Sequence, residues 1–205
     1  MIKKCRVAVA ISGGGRSLEN LIKKSSDYGS YDVIAVISSR SDCGGVSVAE
    51  RANLPILVEQ FTNSPMVERR VNEFLVKNRV DFIVLAGFLK KFPIVSAPVR
   101  PVINIHPALL PSFGGPGMYG RRVHEAVRAS GVSESGATIH YVTENYDEGP
   151  IIAQVVVAID DCDSADDIAK RVFDAECDIY PKVLDGIARN QLPIANGQSW
   201  KYRYS

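Results

Sequence analysis

Apolar residues fall along this chain in two alternating patterns. Residues 5–11 (CRVAVAI), 31–39 (YDVIAVISS) and 80–88 (VDFIVLAGF) are near-continuous apolar runs, the mark of strands buried on both faces. Between them the periodicity changes. Residues 18–24 (LENLIKK) and 45–53 have helical spacing, and from Pro65 to Asn78 the positions Met66, Val67, Val71, Phe74 and Leu75 recur at three and four, which predicts a helix. Residues 55–58 (PILV) add a short strand. Strands that alternate with helices predict an α/β fold with a doubly wound, mostly parallel sheet and helices on both faces.

The second half changes character. Val102, Ile103 and Ile105 predict a buried strand that Pro107 ends, because proline cannot continue a ladder. Tyr119 to Ala129 reads as a helix. Residues 136–142 (GATIHYV) and the run after Pro150 (IIAQVVVAI) read as strands around an acidic turn, and antiparallel pairing between them would make the sheet mixed. A helix begins at Ser164 with Asp166 and Asp167 in its first turn, where carboxylates suit the macrodipole. Ile168, Val172, Ile179 and Val183 face its sheet, and Pro181 is expected to kink or interrupt it. The tail after Asn190 carries Trp200, Tyr202 and Tyr204, which would close an edge. One domain over 1–205 is expected, with halves 1–100 and 101–190 and a tail 191–205.

Composition narrows the class. With 205 residues, 46% hydrophobic and 23% charged, the chain has the makeup of an ordinary globular domain. A net charge of +1 offers no general attraction to nucleic acid or anionic membranes. There is no apolar run of about 18 residues, and the opening MIKKCRVAVAIS runs into a glycine turn rather than a cleavage site. Cys5, Cys43, Cys162 and Cys177 are scattered without a C-x-x-C pair, so neither zinc nor a disulfide framework is expected, and a reducing cytoplasm fits.

Candidate chemistry concentrates at 101-PVINIHPALLPS-112. Side chains alternate along a strand, so Asn104 and His106 share one face about 7 Å apart. An amide can donate to a developing oxyanion and an imidazole can move a proton near neutral pH. An isolated N-x-H is more often a polar strand end, so the neighbours matter. At 12-SGGGRS-17 a glycine turn joins the first strand to a helix, an arrangement that surrounds an anion with backbone N–H groups. Gly13, Gly14 and Gly15 allow close approach, and Arg16 and Ser17 add donors. A nicotinamide-binding Rossmann fold competes, but the turn lacks the third glycine of its fingerprint and the second strand ends in Ser38-Ser39-Arg40 rather than an acid. The loop 112-SFGGPGMYGRR-122 predicts irregular, mobile backbone. His124 reads as structural or surface, and His140 as a packed strand residue. Asp147, in the turn 143-TENYDEGP-150, is the acid best placed to complete N-x-H and would raise the histidine's pKa.

LAGF (85–88), NIHPALLP (104–111) and YDEGP (146–150) together resemble the formyltransferase superfamily that uses 10-formyltetrahydrofolate. The resemblance runs from the first strand to about Pro181. It implies a formyltransferase-type Rossmann-like domain that passes a formyl group to the amine of glycinamide ribonucleotide in purine synthesis. On this basis Asn104, His106 and Asp147 correspond to a catalytic Asn–His–Asp set. Gly13, Gly14, Gly15, Arg16 and Ser17 would hold the substrate phosphate, and Pro107 and Glu176 would contact the same substrate. Phe88, Leu89, Lys90, Lys91 and Phe92, with Asn104, Thr143, Glu144, Asn145, Tyr146 and Asp147, would bind folate. No metal is implied. Small-molecule substrates, no nucleic acid, no membrane and a monomer or homodimer are the implied partners. Relatives carry an arginine near position 64 that assists folate; Ser64-Pro65 stands here instead, with Arg69 or Arg70 as substitutes.

Other readings are a formyltetrahydrofolate deformylase, which resembles this chain preceded by a regulatory domain, and a methionyl-tRNA formyltransferase, which carries a further β-barrel. A non-catalytic sugar-phosphate or nucleotide module would explain the glycine turn alone. It leaves Asn104, His106 and Asp147 as coincidence.

Overall fold

The structure is a computed structural model and describes residues 4–93, 101–162, 164–190 and 200–204. Residues 191–199 of the expected tail, and 94–100 of the expected first half, lie outside the described residues. The chain divides into two compact units, Met1–Ile103 and Asn104–Ser205.

In the first unit, β1 (Cys5–Ile11), β2 (Tyr31–Ser38), β3 (Ile56–Val58) and β4 (Phe82–Leu85) alternate with α1 (Arg16–Tyr28), α2 (Gly44–Arg51) and α3 (Pro65–Lys77). Strand order is β3-β2-β1-β4. Each of these pairings is parallel, with Val9 opposite Val36 and Val84, and Ile37 opposite Leu57. Val7 to Ile11, Val36, Ile37, Ile83 and Val84 are fully or almost fully buried, and α1 and α3 bury Leu18, Leu21, Val71 and Leu75. This is the parallel, twice-covered sheet that the apolar runs predict.

The run 80–88 makes a shorter strand than its composition predicts. Ala86 still donates its N–H to the Ala10 carbonyl at 2.9 Å, but Gly87 at φ 69° turns the chain away. β4 therefore delivers Gly87 to Phe92 at the C-terminal ends of the strands, where open α/β sheets bind ligands.

The unit boundary falls on β5 (Val102–His106). The second unit continues from it through α4 (Arg121–Ser130), β6 (Glu134–Tyr141), β7 (Ile151–Ala158), α5 (Ala165–Ala188) and β8 (Trp200–Arg203), with strand order β5-β6-β7-β8. β6 and β7 pair antiparallel, and β8 pairs parallel with β7 at the edge. The sheet pattern is thus mostly parallel but mixed. α5 packs on β6, β7 and α4 and buries Ile168, Val172, Ile179 and Val183. Its start has a full capping box, in which the Ser164 hydroxyl accepts from the Asp167 N–H and the Asp167 carboxylate accepts from the Ser164 N–H.

Pro181 does not interrupt α5. The helix runs through it for 24 residues. Proline removes one N–H and crowds the preceding turn, but here it lies inside the packed face beside buried Tyr180 and Val183, so tertiary burial outweighs the local penalty. α4 begins two residues later than its apolar spacing suggests, because Gly120 at φ 58° precedes it.

Candidate active site

Four polar side chains of the second unit converge at the end of β5. Asn104 and His106 occupy alternate positions of this strand and share a face, as the alternation requires. The Asn104 Nδ2 lies 3.1 Å from His140 Nε2 on β6. His106 Nδ1 is 3.5 Å from one Asp147 oxygen and His140 Nε2 is 3.5 Å from the other. A single carboxylate therefore faces both imidazoles.

Asp147 is delivered by the turn between β6 and β7. Its backbone is left-handed, at φ 59°, a conformation that aspartate adopts more readily than most residues. Next to it Gly149 lies so close to the Tyr141 carbonyl that a side chain would collide with it, and the Tyr141 N–H bonds the Pro150 carbonyl at 2.9 Å. These contacts pin the turn. Glu148 accepts from the Asn145 amide at 2.7 Å, and Thr143 donates to the Asn145 carbonyl at 3.2 Å. Tyr146 remains exposed.

The glycine-rich loop after Pro111 closes the other side of this cluster. Gly115 donates its N–H to Asp147 Oδ2 at 2.9 Å, and a Cβ on Gly114 would strike Leu110 and sit 3.2 Å from Asp147 Cβ. Phe113, at φ 57°, turns its carbonyl to His106 Nε2 at 2.8 Å. A carbonyl only accepts, so this contact places a proton on Nε2 of His106. The loop is irregular, as its composition predicts, and it supplies backbone groups that no side-chain motif reveals.

Hydrogen bonding orients the second imidazole too. His140 Nδ1 donates to the Tyr141 carbonyl at 2.9 Å. In the neutral ring Nε2 then has only a lone pair, which accepts from the Asn104 amide. His140, expected as a packed strand residue, is buried but belongs to the cluster. Its position seven residues before Asp147, on the strand feeding the same turn, was the available signal.

Electrostatics correct one expectation. Asp147 does favour the His106 imidazolium, but burial of the ring is the larger effect, so the pKa of His106 lies below the ordinary 6.5 rather than above it. The Phe113 carbonyl works with Asp147, and any charge on His140 would work against them. Burial also penalises the Asp147 carboxylate, but His140, His106 and the Gly115 N–H together hold its pKa below the usual carboxylate value. His106 is thus neutral near pH 7 beside an ionised carboxylate. His124 on α4 is buried rather than on the surface, and its pKa is lowered by burial and then by His106.

Glu176 lies on α5, and its charge, after burial, helps to hold the buried Tyr180 phenol well above its usual pKa. Pro107 follows His106 directly and is half-buried.

The first unit carries the glycine turn. Gly15, at φ 81°, is the N-cap of α1, and no side chain caps the helix. A Cβ there would lie 2.5 Å from Gly45 Cα, so this position is held to glycine by backbone conformation and by the approach of α2. At Gly13 and Gly14 a Cβ would meet nothing within 4 Å, and both are exposed. An uncapped helix start beside open backbone is suited to an anion. Arg16 and Ser17 begin α1 on the same turn.

Also in this unit, Phe88 and Phe92 pack with Phe61, at centroid separations of 4.8 Å for Phe61–Phe88 and 5.6 Å for Phe88–Phe92. Phe92 is buried, whereas Leu89, Lys90 and Lys91 are exposed. Ser64 caps α3 by accepting from the Met66 N–H at 3.3 Å, with Pro65 in its first turn. Arg69 pairs with Glu73 at 2.8 Å and Arg70 with Glu59 at 2.9 Å.

Residues 5–184 match the family model described as Formyl transferase. A chloroplastic phosphoribosylglycinamide formyltransferase of Vigna unguiculata is 40% identical over 199 residues, covering 93% of this chain. The chain spans 63% of that relative's length. The crystal structure of phosphoribosylglycinamide formyltransferase from Anaplasma phagocytophilum superposes with a TM-score of 0.84 at 31% identity, over 98% of this chain and 100% of that one. The corresponding protein from Coxiella burnetii, in complex with CHES, gives a TM-score of 0.86 at 30% identity, with the same coverage.

Proposed function

The chain belongs to the formyl transferase family, and from that premise we propose that it transfers the formyl group of 10-formyltetrahydrofolate to the amine of 5'-phosphoribosylglycinamide. The observation that carries this reading is the meeting of Asn104, His106 and His140 with one carboxylate, Asp147. Acyl transfer to an amine needs donors for an oxyanion and a group that holds one proton in transit. This cluster supplies both.

In the proposed reaction the amine lone pair attacks the formyl carbon, and its carbonyl oxygen takes on negative charge. Asn104, its amide aligned by His140, donates one N–H to that oxygen. His106 donates its Nε2–H, and the oxygen takes the place of the Phe113 carbonyl as acceptor. Each preorganised donor of this kind contributes about 3–4 kcal/mol. The attacking amine must lose one proton and the departing folate nitrogen must gain one. Neutral His106 has its lone pair on Nδ1. The proton in transit is held there, between Nδ1 and the ionised Asp147 carboxylate 3.5 Å away, which stabilises the imidazolium as it forms. Collapse of the intermediate then breaks the bond between the formyl carbon and the folate nitrogen.

The remaining roles follow the same reading. Gly13, Gly14, Gly15, Arg16 and Ser17 hold the ribonucleotide phosphate, with Pro107 and Glu176 on the same substrate. Phe88 to Phe92 and Thr143 to Asp147 contact folate. The uncapped start of α1 supports the phosphate assignment. The exposed Leu89 and Tyr146 support the folate assignment, since exposed apolar side chains suit an aromatic ligand.

The test is a folate absorbance assay with 10-formyl-dideazafolate, run with and without glycinamide ribonucleotide. Deformylation that requires the ribonucleotide, with a formylated product by mass spectrometry, is the expected result. Equal deformylation without it would identify a hydrolase.

A further inference from the structure

Ser12 opens the glycine turn, yet its side chain faces away from solvent. It is 5% exposed, and its hydroxyl accepts from the Leu89 N–H at 2.9 Å. The same oxygen lies 2.6 Å from the hydroxyl of Ser39, itself buried at the end of β2. The Ser12 backbone N–H donates to the Gly87 carbonyl at 3.2 Å. Ser39 in turn donates its N–H to the Ile11 carbonyl at 3.1 Å. One residue therefore joins the turn after β1 to the segment after β4 through two hydrogen bonds, with the end of β2 bracing its hydroxyl.

The backbone bond would form with any residue but proline at position 12. The hydroxyl bond would not. A hydroxyl offers one donor and two acceptor sites, and here one acceptor site is taken by Leu89 and a second site, donor or acceptor, by Ser39. Alanine would leave the part-buried Leu89 N–H without this partner, which is costly. The adjoining segments are both open to solvent. Gly13 and Gly14 have open space around them, and Leu89 presents an exposed side chain. The Ser12–Ser39 pair is the buried link between two exposed stretches.

We infer that Ser12 is a positioning residue that links the turn for the acceptor phosphate to the folate-contacting segment Gly87–Phe92, so that filling the turn tightens folate binding. The inference rests on the proposed function, which assigns those two ligands to these two stretches. Phosphate binding orders the backbone of Gly13–Gly15. Through the Ser12 hydroxyl that order extends to the Leu89 N–H, and hence to the side chains of Phe88 and Leu89. Such coupling requires that each ligand favour the same arrangement of the shared element.

The experiment measures the Kd of deformylated 5,8-dideazafolate, which cannot react, with and without saturating glycinamide ribonucleotide. In the wild-type protein the ribonucleotide is expected to tighten binding about fivefold, at the lower end of ordinary coupling between sites. Ser12→Ala is expected to abolish that factor, and Ser39→Ala, which keeps the Leu89 bond but frees the hydroxyl to rotate, to reduce it. A purely structural serine would lower Tm and weaken folate binding equally with and without ribonucleotide, which would overturn the inference. If Ser12→Ala does not fold, Ser39→Ala decides, and wild-type coupling in that variant overturns it. Folate binding without coupling in the wild type sinks this inference alone, whereas no folate binding at all sinks the functional reading with it.

Discussion

At the residue scale the decisive feature is that His106 is buried. Its Nε2–H is committed to the Phe113 carbonyl, and Nδ1 faces Asp147. Burial lowers its pKa and Asp147 partly restores it. If neutral His106 is the working form, kcat/KM falls as pH drops through a value below 6.5. Asp147→Asn removes the group that favours the proton on His106, so the acid limb should move to lower pH while the maximum rate falls. A limb that moves up, or stays where it is, would show that Asp147 does not act on the titrating group. His140→Phe is expected to keep the ring's bulk but release the Asn104 amide, lowering kcat by about tenfold to a hundredfold, the range for loss of one aligned oxyanion donor or somewhat less. Unchanged kcat in His140→Phe, with intact folate binding, would remove His140 from the account.

At the element scale, two turns do most of the positioning. The glycine turn depends on Gly15, where both the left-handed backbone and the nearby Gly45 exclude a side chain. Gly15→Ala should destabilise the protein by about 1–3 kcal/mol, as for other residues forced into that region, and should raise KM for the ribonucleotide more than KM for folate. Equal KM changes for both substrates would contradict the phosphate assignment. By contrast, Ser164→Ala should cost about 1 kcal/mol through loss of the α5 cap, lowering Tm with kcat unchanged.

Much of this was legible in the chain, and the exceptions have physical causes. The N-x-H pair was legible because strand alternation is a local rule, and Asp147 because an acidic turn between two strands has few places to go. His140 was not, since its role depends on a pairing across β5 and β6 that no local pattern encodes. Phe113 and Gly115 act through backbone atoms, to which residue identity gives no direct signal. The direction of the His106 shift was misread because sequence shows the neighbouring charge but not the depth of burial. That α5 continues through Pro181 was hidden for a related reason: the local penalty of proline is visible, whereas the packing that outweighs it is not.

At the scale of the whole molecule, buried imidazoles tie stability to pH. The folded-state pKa values of His106 and His124 both lie below 6.5. Between those lowered values and 6.5 the unfolded chain binds more protons than the folded one, so stability falls as pH drops through this window. Below the folded values the two states are equally protonated at these sites and no further loss arises from them. Urea midpoints should therefore decrease between pH 7.5 and pH 5.5, and His124→Phe should flatten the decrease. An unchanged slope in that variant would mean that His124 does not enter the folded state neutral.

The central claim is that His106 performs the chemistry without being needed to hold folate. The most direct measurement is single-turnover formyl transfer by His106→Ala, together with the Kd of dideazafolate for the same variant. The account predicts transfer slower by about a thousandfold, within the range for loss of a proton-transferring group, and a Kd within about twofold of wild type, because uniform binding is untouched. Wild-type transfer by this variant would contradict the account.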